Sequence, residues 1–166
     1  INLPYGIIAE KSFGEVILCA GRCDDEKAEI HITQKELEAL SATGEQKNIK
    51  LSADGSYVTL CIQDFNGKMD EIPKKPYTKW FDYDKINSVT IRFRKDGDRI
   101  TPLGMKGSKK LKDIFIDMKI PQEKRNKIPL IQFDDDISWI IGVKMSDKFK
   151  ITKETKKILR ISVKRK

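Results

Sequence analysis

The sequence has 166 residues, 39% hydrophobic and 35% charged, with a formal net charge of +8. That is enough apolar content for a buried core without covalent staples, and no apolar run approaches the roughly 18 residues that a membrane helix requires. The charge is unevenly held: residues 1–76 carry 9 Lys and Arg against 13 Asp and Glu, net −4, whereas residues 77–166 carry 24 against 12, net +12. Such asymmetry points the second part toward a polyanion, either nucleic acid or an anionic membrane surface.

In chain order, FGEVILCAG reads as a strand. TQKELEAL reads as the start of a short helix, with Thr33 and Glu36 in capping-box register. IKLSADGSYVTLCI reads as a hairpin turning at Asp54-Gly55, where Val58, Leu60 and Ile62 alternate with Tyr57, Thr59 and Cys61. EIPKKPYTKW interrupts the pattern where the charge changes sign, so a domain boundary is expected near residue 76. SVTIRFR then alternates, with Val89, Ile91 and Phe93 on one face and Thr90, Arg92 and Arg94 on a basic outer face.

KDGD turns the chain through Gly97, and Pro102, Gly104 and Gly107 shape a loop ending at Ser108, the expected N-cap of an amphipathic helix. Its apolar stripe is Leu111, Ile114, Phe115 and Met118. Lys109 and Lys110 would then sit in the first turn, each opposing the helix dipole by about 0.3–1 kcal/mol, unless an anion is bound there. PQEKRNK suits a further helical turn opened by Pro121. IPLIQF and ISWIIGV suit buried strands joined across Asp134, Asp135 and Asp136, and ILRISVKR suits a strand closing the sheet. The expected fold is α+β: a small β-rich part over residues 1–76 and an α+β domain over residues 77–166.

The sequence offers little for catalysis. His31 stands alone in AEIHITQ, and GMKGSKK lacks the G-x-x-x-x-G-K-[ST] spacing of a phosphate loop. Asp24-Asp25 and the 134–136 triplet read as solvated turns. Cys19, Cys23 and Cys61 are odd in number, and CAGRC has no second pair to complete a zinc site, so reduced thiols in a cytoplasmic protein are expected. There is no signal-peptide pattern, and INLPYG begins without an initiator methionine, so the chain reads as a piece of something longer.

Four segments carry a specific resemblance: KWFDYDKI, IRFRKDGDRITPLGMKGSKKLKDIFIDMKIP, KRNKIPLI and ISWIIGVKMS. The ordered pattern R-x-R-x-x-G-D-R, P-x-G-x-x-G-x-K-K-L-K-D, K-I-P, R, I-P and W-I-x-G resembles the C-terminal domain of bacterial tRNA(Ile)-lysidine synthetase over roughly residues 77–160. Lys144 departs from it, standing where the family is expected to favour arginine. The resemblance implies a parent enzyme that uses ATP, with magnesium, to attach lysine to the wobble cytidine of an isoleucine tRNA with a CAU anticodon. It also implies that the S-G-G-x-D-S loop of that chemistry lies in an N-terminal catalytic domain, a partner to these residues, since the motif has no counterpart here. This chain would hold tRNA on the acceptor-stem side, with a fold similar to a domain of the phenylalanyl-tRNA synthetase β chain, no cofactor of its own, and room for a homodimer.

An A-form stem is held largely by shape and phosphate contacts. The residues expected to make that surface are Arg92 and Arg94 on a strand, Arg99 and Lys106 on the loop, and Lys109, Lys110 and Lys112 at the helix start, with backbone N–H groups from Ser108 onward adding to it. A free-standing RNA-binding protein and a docking module without RNA contact are the competing expectations.

Overall fold

The computed structural model of the chain describes residues 2–3, 7–12, 15–20, 29–51 and 55–164. The first described elements, β1 (Asn2–Leu3), β2 (Ile7–Ser12) and β3 (Glu15–Ala20), make an antiparallel sheet in the order β1-β2-β3. β3 is the strand expected in FGEVILCAG. Asp24-Asp25 and Cys23 lie outside the described residues.

β4 (Ile30–Ile32) leads into α1 (Gln34–Thr43), which has the expected capping box. The Thr33 hydroxyl accepts from the Glu36 N–H, and the Glu36 carboxylate accepts from the Thr33 N–H at 2.8 Å. Lys47 donates to the same carboxylate at 2.9 Å; together with Thr33 it holds the Glu36 carboxyl down to about 2. Gly44, at φ +68°, ends the helix by donating to Leu40. β5 (Gln46–Lys50) and β6 (Tyr57–Asp64) then form the expected hairpin, pairing from Lys50 opposite Tyr57. Asp54, half of its turn, lies outside the described residues; Gly55 has the positive φ, +83°, that the turn requires.

Thirteen residues further on the chain enters β7 (Thr78–Asp82) and β8 (Val89–Arg92), then the short strands β9 (Arg99–Ile100) and β10 (Lys109–Lys110). Two short helices follow, α2 (Leu111–Asp117) and α3 (Gln122–Arg125), the latter opened by Pro121. The last strands are β11 (Leu130–Phe133), β12 (Asp136–Ile140), β13 (Lys144–Met145) and β14 (Lys157–Lys164). They assemble two antiparallel sheets, in the orders β5-β6-β14-β7 and β13-β12-β11-β8-β4, with β9 and β10 as a separate ribbon. The fold is α+β, mostly sheet with few helices.

Residue 76 does not separate two units. β14 pairs with β6 along eight residues, from Lys157 opposite Asp64 to Lys164 opposite Tyr57, and β4 pairs with β8. The hydrophobic core makes the same point: Ile32, Leu37, Val58, Leu60 and Ile62 pack in one cluster with Phe81, Ile91, Phe133, Trp139 and Leu159. The prolines at 73 and 76 mark a connection within a shared core, which a shift in composition alone cannot distinguish from a linker. β14 lies between β6 and β7 rather than at an edge, the position its apolar run suits.

Phe81 and Phe133 meet edge to face with centroids 5.0 Å apart, as do Phe133 and Phe149. On the opposite face of β11 and β12, a second cluster brings Leu111, Ile114 and Phe115 of α2 against Ile100, Leu130 and Ile140. The β11–β12 pair is thus covered on both sides, which accounts for the near-continuous apolar runs IPLIQF and ISWIIGV. A register shift between Ile131 and Gln132 is accompanied by buried Ser138, whose hydroxyl donates to the Ile131 carbonyl at 2.9 Å.

Two expectations about the 97–118 stretch are corrected. Ser108 does not cap α2: the helix begins at Leu111, whose N–H donates to the Asp98 carbonyl, and the cap position is Lys110, without a side-chain bond. Lys109 and Lys110 are taken up by pairing with Ile100 and Arg99, so they are not in the first helical turn, and the phosphate-binding helix start expected from Ser108 onward is not formed. Met118 leaves the apolar stripe, 47% exposed at the helix C-terminus.

Candidate nucleic-acid interface

The seven cations expected to form one surface divide into three groups. Arg92 is buried, 7% exposed, and its guanidinium makes four hydrogen bonds inside the protein. Its two Nη atoms each donate to Asp98 at 2.9 Å, Nε donates to Gln132 at 2.8 Å, and Nη1 also reaches the Phe93 carbonyl. Burial raises the Asp98 carboxyl, but the hydrogen bonds from Arg92 and the Lys95 N–H outweigh it and leave the group below its ordinary value. The basic outer face expected of SVTIRFR is therefore an internal ion pair, which ties β8 to the Gly97 turn (φ +85°). The strand ends at Arg92, so the alternation is not continued through Arg94, which is half-buried with Nε donating to Asn126 at 3.1 Å.

Lys109 forms the second group. It is half-buried, and its ammonium pairs with Asp117 at the far end of α2.

Arg99, Lys106, Lys110 and Lys112 make the third group and are exposed. Arg99 and Lys110 stand directly opposite each other in the β9–β10 ribbon. Residues so placed project from the same face, and like charges there are destabilising. Ser108 orients the pair: its hydroxyl accepts from Arg99 Nε at 2.9 Å and its carbonyl accepts from Nη2 at 3.2 Å. The serine read as a helix cap is in fact an arginine rest. Among the described residues Lys106, Lys110 and Lys112 are in no ion pair.

The loop from 101 to 108 is fastened to β13 and the residues after it. Leu103 N–H donates to the Met145 carbonyl at 3.0 Å, Gly104 N–H to the Asp147 carboxylate at 3.0 Å, and Asp147 N–H to the Thr101 carbonyl at 2.9 Å. The Gly104 hydrogen bond and Lys150 hold the Asp147 carboxyl below its ordinary value. Gly104 takes φ +81°, and Leu103 and Met105 are each 50% exposed at the tip.

Beside this loop, two adjoining cavities of about 390 and 430 Å³ share Lys74, Lys79, Leu103 and Met145 on their walls, so they form one groove along β7. Lys144 and Lys150 also line it. Gly142 fixes its far end: at φ +75°, a Cβ there would lie 3.1 Å from the Tyr77 ring. Lys74, Lys79 and Lys144 were not among the expected site residues. Their only sequence signals were the lysine pair in PKKP and the departure at Lys144.

A third cavity, about 530 Å³, lies on the polar face of β4, β8 and β11, where His31 Nδ1 and the Thr90 hydroxyl are 2.8 Å apart. Asp134, at φ +52°, receives the Ser88 N–H and hydroxyl, so it fastens a turn, as its sequence context suggested. Among the described residues no three His, Cys, Asp or Glu side chains group to hold a metal, and no helix is long and apolar enough to cross a membrane.

This architecture is an α+β domain that carries a cationic ribbon and a lysine-lined groove. Residues 89–163 match the family described as the TilS substrate C-terminal domain. A tRNA(Ile)-lysidine synthase from Clostridium perfringens is 40% identical over 99% of this chain, and the alignment covers 34% of that protein. The solved "Crystal structure of TILS C-terminal domain" superposes with a TM-score of 0.56 at 22% identity, covering 73% of this chain and 98% of that one. A fragment of the Pyrococcus horikoshii phenylalanyl-tRNA synthetase β subunit aligns over 52% of this chain and 27% of that one, at 19% identity and a TM-score of 0.46. The chain belongs to the tRNA(Ile)-lysidine synthase family and corresponds to its C-terminal region. It spans about a third of the length of the curated relatives it matches.

Proposed function

We propose that this chain binds tRNA for a tRNA(Ile)-lysidine synthase, through the β9–β10 ribbon and the loop from 101 to 108. The observation that carries the proposal is the Arg99–Lys110 pair, two exposed cations held face to face where neither pairs with a carboxylate among the described residues. A phosphate between them turns a repulsion into two attractions. Lys106 and Lys112 extend the surface over more than one phosphate, as an A-form stem read by shape requires. In this reading the acceptor-stem side of an isoleucine tRNA with a CAU anticodon rests here. ATP, magnesium and lysine act at the wobble cytidine in an N-terminal catalytic domain.

Titration of tRNA against the chain over a range of salt concentrations tests this. About three neutralised phosphates, one shared by Arg99 and Lys110 and one each at Lys106 and Lys112, give a slope of log K against log salt of roughly −2 to −3. A slope near zero removes the cationic surface as the contact. Incubation with ATP, lysine and tRNA should yield no AMP from this chain alone.

A further inference from the structure

The groove along β7 has a different character from the ribbon. Lys74, Lys79 and Lys144 line it without forming an ion pair with any described residue, and Lys150 is the one wall lysine with a carboxylate, Asp147 at 3.1 Å. Between the lysines the walls carry Leu103, Met145 and Trp80. The Trp80 indole N–H is buried and has no acceptor, an uncommon state for a buried donor. The walls therefore supply cations, an aromatic ring and apolar surface, and call for a ligand that brings negative charge and a flat apolar body together.

We infer that this groove seats unpaired nucleotides flanking an RNA duplex that lies on the ribbon. The inference rests on the RNA-binding role proposed above and adds a second, single-stranded subsite to it. Continuity favours a nucleotide over an acidic peptide. Leu103 belongs to the loop whose Lys106 faces the proposed duplex, and its own N–H is bonded to Met145, which also lines the groove. A strand leaving a duplex on the ribbon would cross this loop and enter the groove. Its phosphates would meet Lys79 and Lys144 while a base lies against Leu103, Met145 and Trp80, the combination of basic track and stacking surface that single strands require.

The test uses the full chain and two RNA hairpins, one blunt and one with three unpaired nucleotides at its 3′ end. The overhang should tighten binding by on the order of tenfold. A Lys79→Ala/Lys144→Ala variant, melting at the parent temperature, should lose that gain while its affinity for the blunt hairpin changes less than about twofold. Equal binding of both hairpins by the parent chain would overturn the subsite and leave the duplex contact standing. A gain that persists in the variant would place the overhang elsewhere and also overturn it. Failure to bind either hairpin would remove the RNA-binding role and the subsite with it. A peptide of alternating Glu and Leu that outcompetes the overhang would assign the groove to a protein partner instead.

Discussion

Arg92 and Arg99 lie seven residues apart in one motif, and they end in opposite situations. Arg92 is buried in β8 with four hydrogen bonds to protein acceptors and a carboxylate of its own. Arg99 is exposed in β9, rests on Ser108, and faces another cation. A cation whose donors are already satisfied can only stabilise the fold, whereas one held opposite a like charge leaves a repulsion that an anion can relieve. Partners, more than net charge, separate a structural arginine from a binding one.

The most severe way to break this comparison is Asp98→Ala, which leaves the Arg92 guanidinium buried without its carboxylate and should cost about 3–5 kcal/mol of stability in chemical denaturation. The pH dependence has a definite sign. The folded Asp98 carboxyl lies below its ordinary value of 3.8, so its contribution is complete above that pH and is lost as pH falls through the lower folded value. Acid melts of Asp98→Ala should lack that part of the parent's loss. If Asp98→Ala instead melts like the parent, the ion pair does not hold β8 to its turn.

An intermediate effect is expected at the ribbon. Arg99→Ala with Lys110→Ala should weaken tRNA binding by on the order of tenfold and make the salt slope shallower by about 1, for the one phosphate held between them. The melting temperature should hold or rise. Unchanged binding would make Arg99 no more a binding residue than Arg92.

The smallest effects concern two adjacent lysines and have opposite signs. Lys110→Glu converts the cross-strand repulsion with Arg99 into an attraction and should raise stability by about 0.2–1 kcal/mol. Lys109→Glu loses its pair with Asp117 and sets two carboxylates together, so stability should fall by about 0.5 kcal/mol. Thermal melts of the two single variants separate them; shifts of the same sign would mean that their ribbon register is wrong.

What could be read from the sequence follows the range of the interactions involved. The α1 capping box, the β5–β6 hairpin, the Gly97 turn and the β11–β12 pair were legible because their signals lie within a few residues of one another. The burial of Arg92 was not, because its partners Gln132 and Asp98 reach it from another strand and a following turn, and alternation cannot tell a solvated face from a polar face under a loop. Ser108 misled for a similar reason: serine before an apolar stripe signals a cap, but pairing with β9 claimed Lys109 and Lys110 first. Of the seven expected tRNA contacts, Arg99, Lys106, Lys110 and Lys112 are where a ligand can reach them. The groove lysines came from segments about seventy residues apart, Lys74 and Lys144, and only the tertiary fold places them together.

The central place of β14 has a consequence for how the molecule comes into being. All eight of its residues pair with β6 on one side and Ile158–Ser162 pair with β7 on the other, yet they are translated long after both. At the usual elongation rate of about 5–20 residues per second, the β5–β6 hairpin would wait on the order of 5–20 s on the ribosome with Val58, Leu60 and Ile62 lacking their final neighbour. The nascent chain therefore carries an unpaired hydrophobic strand until β14 is made, a natural client for a chaperone that recognises extended apolar segments.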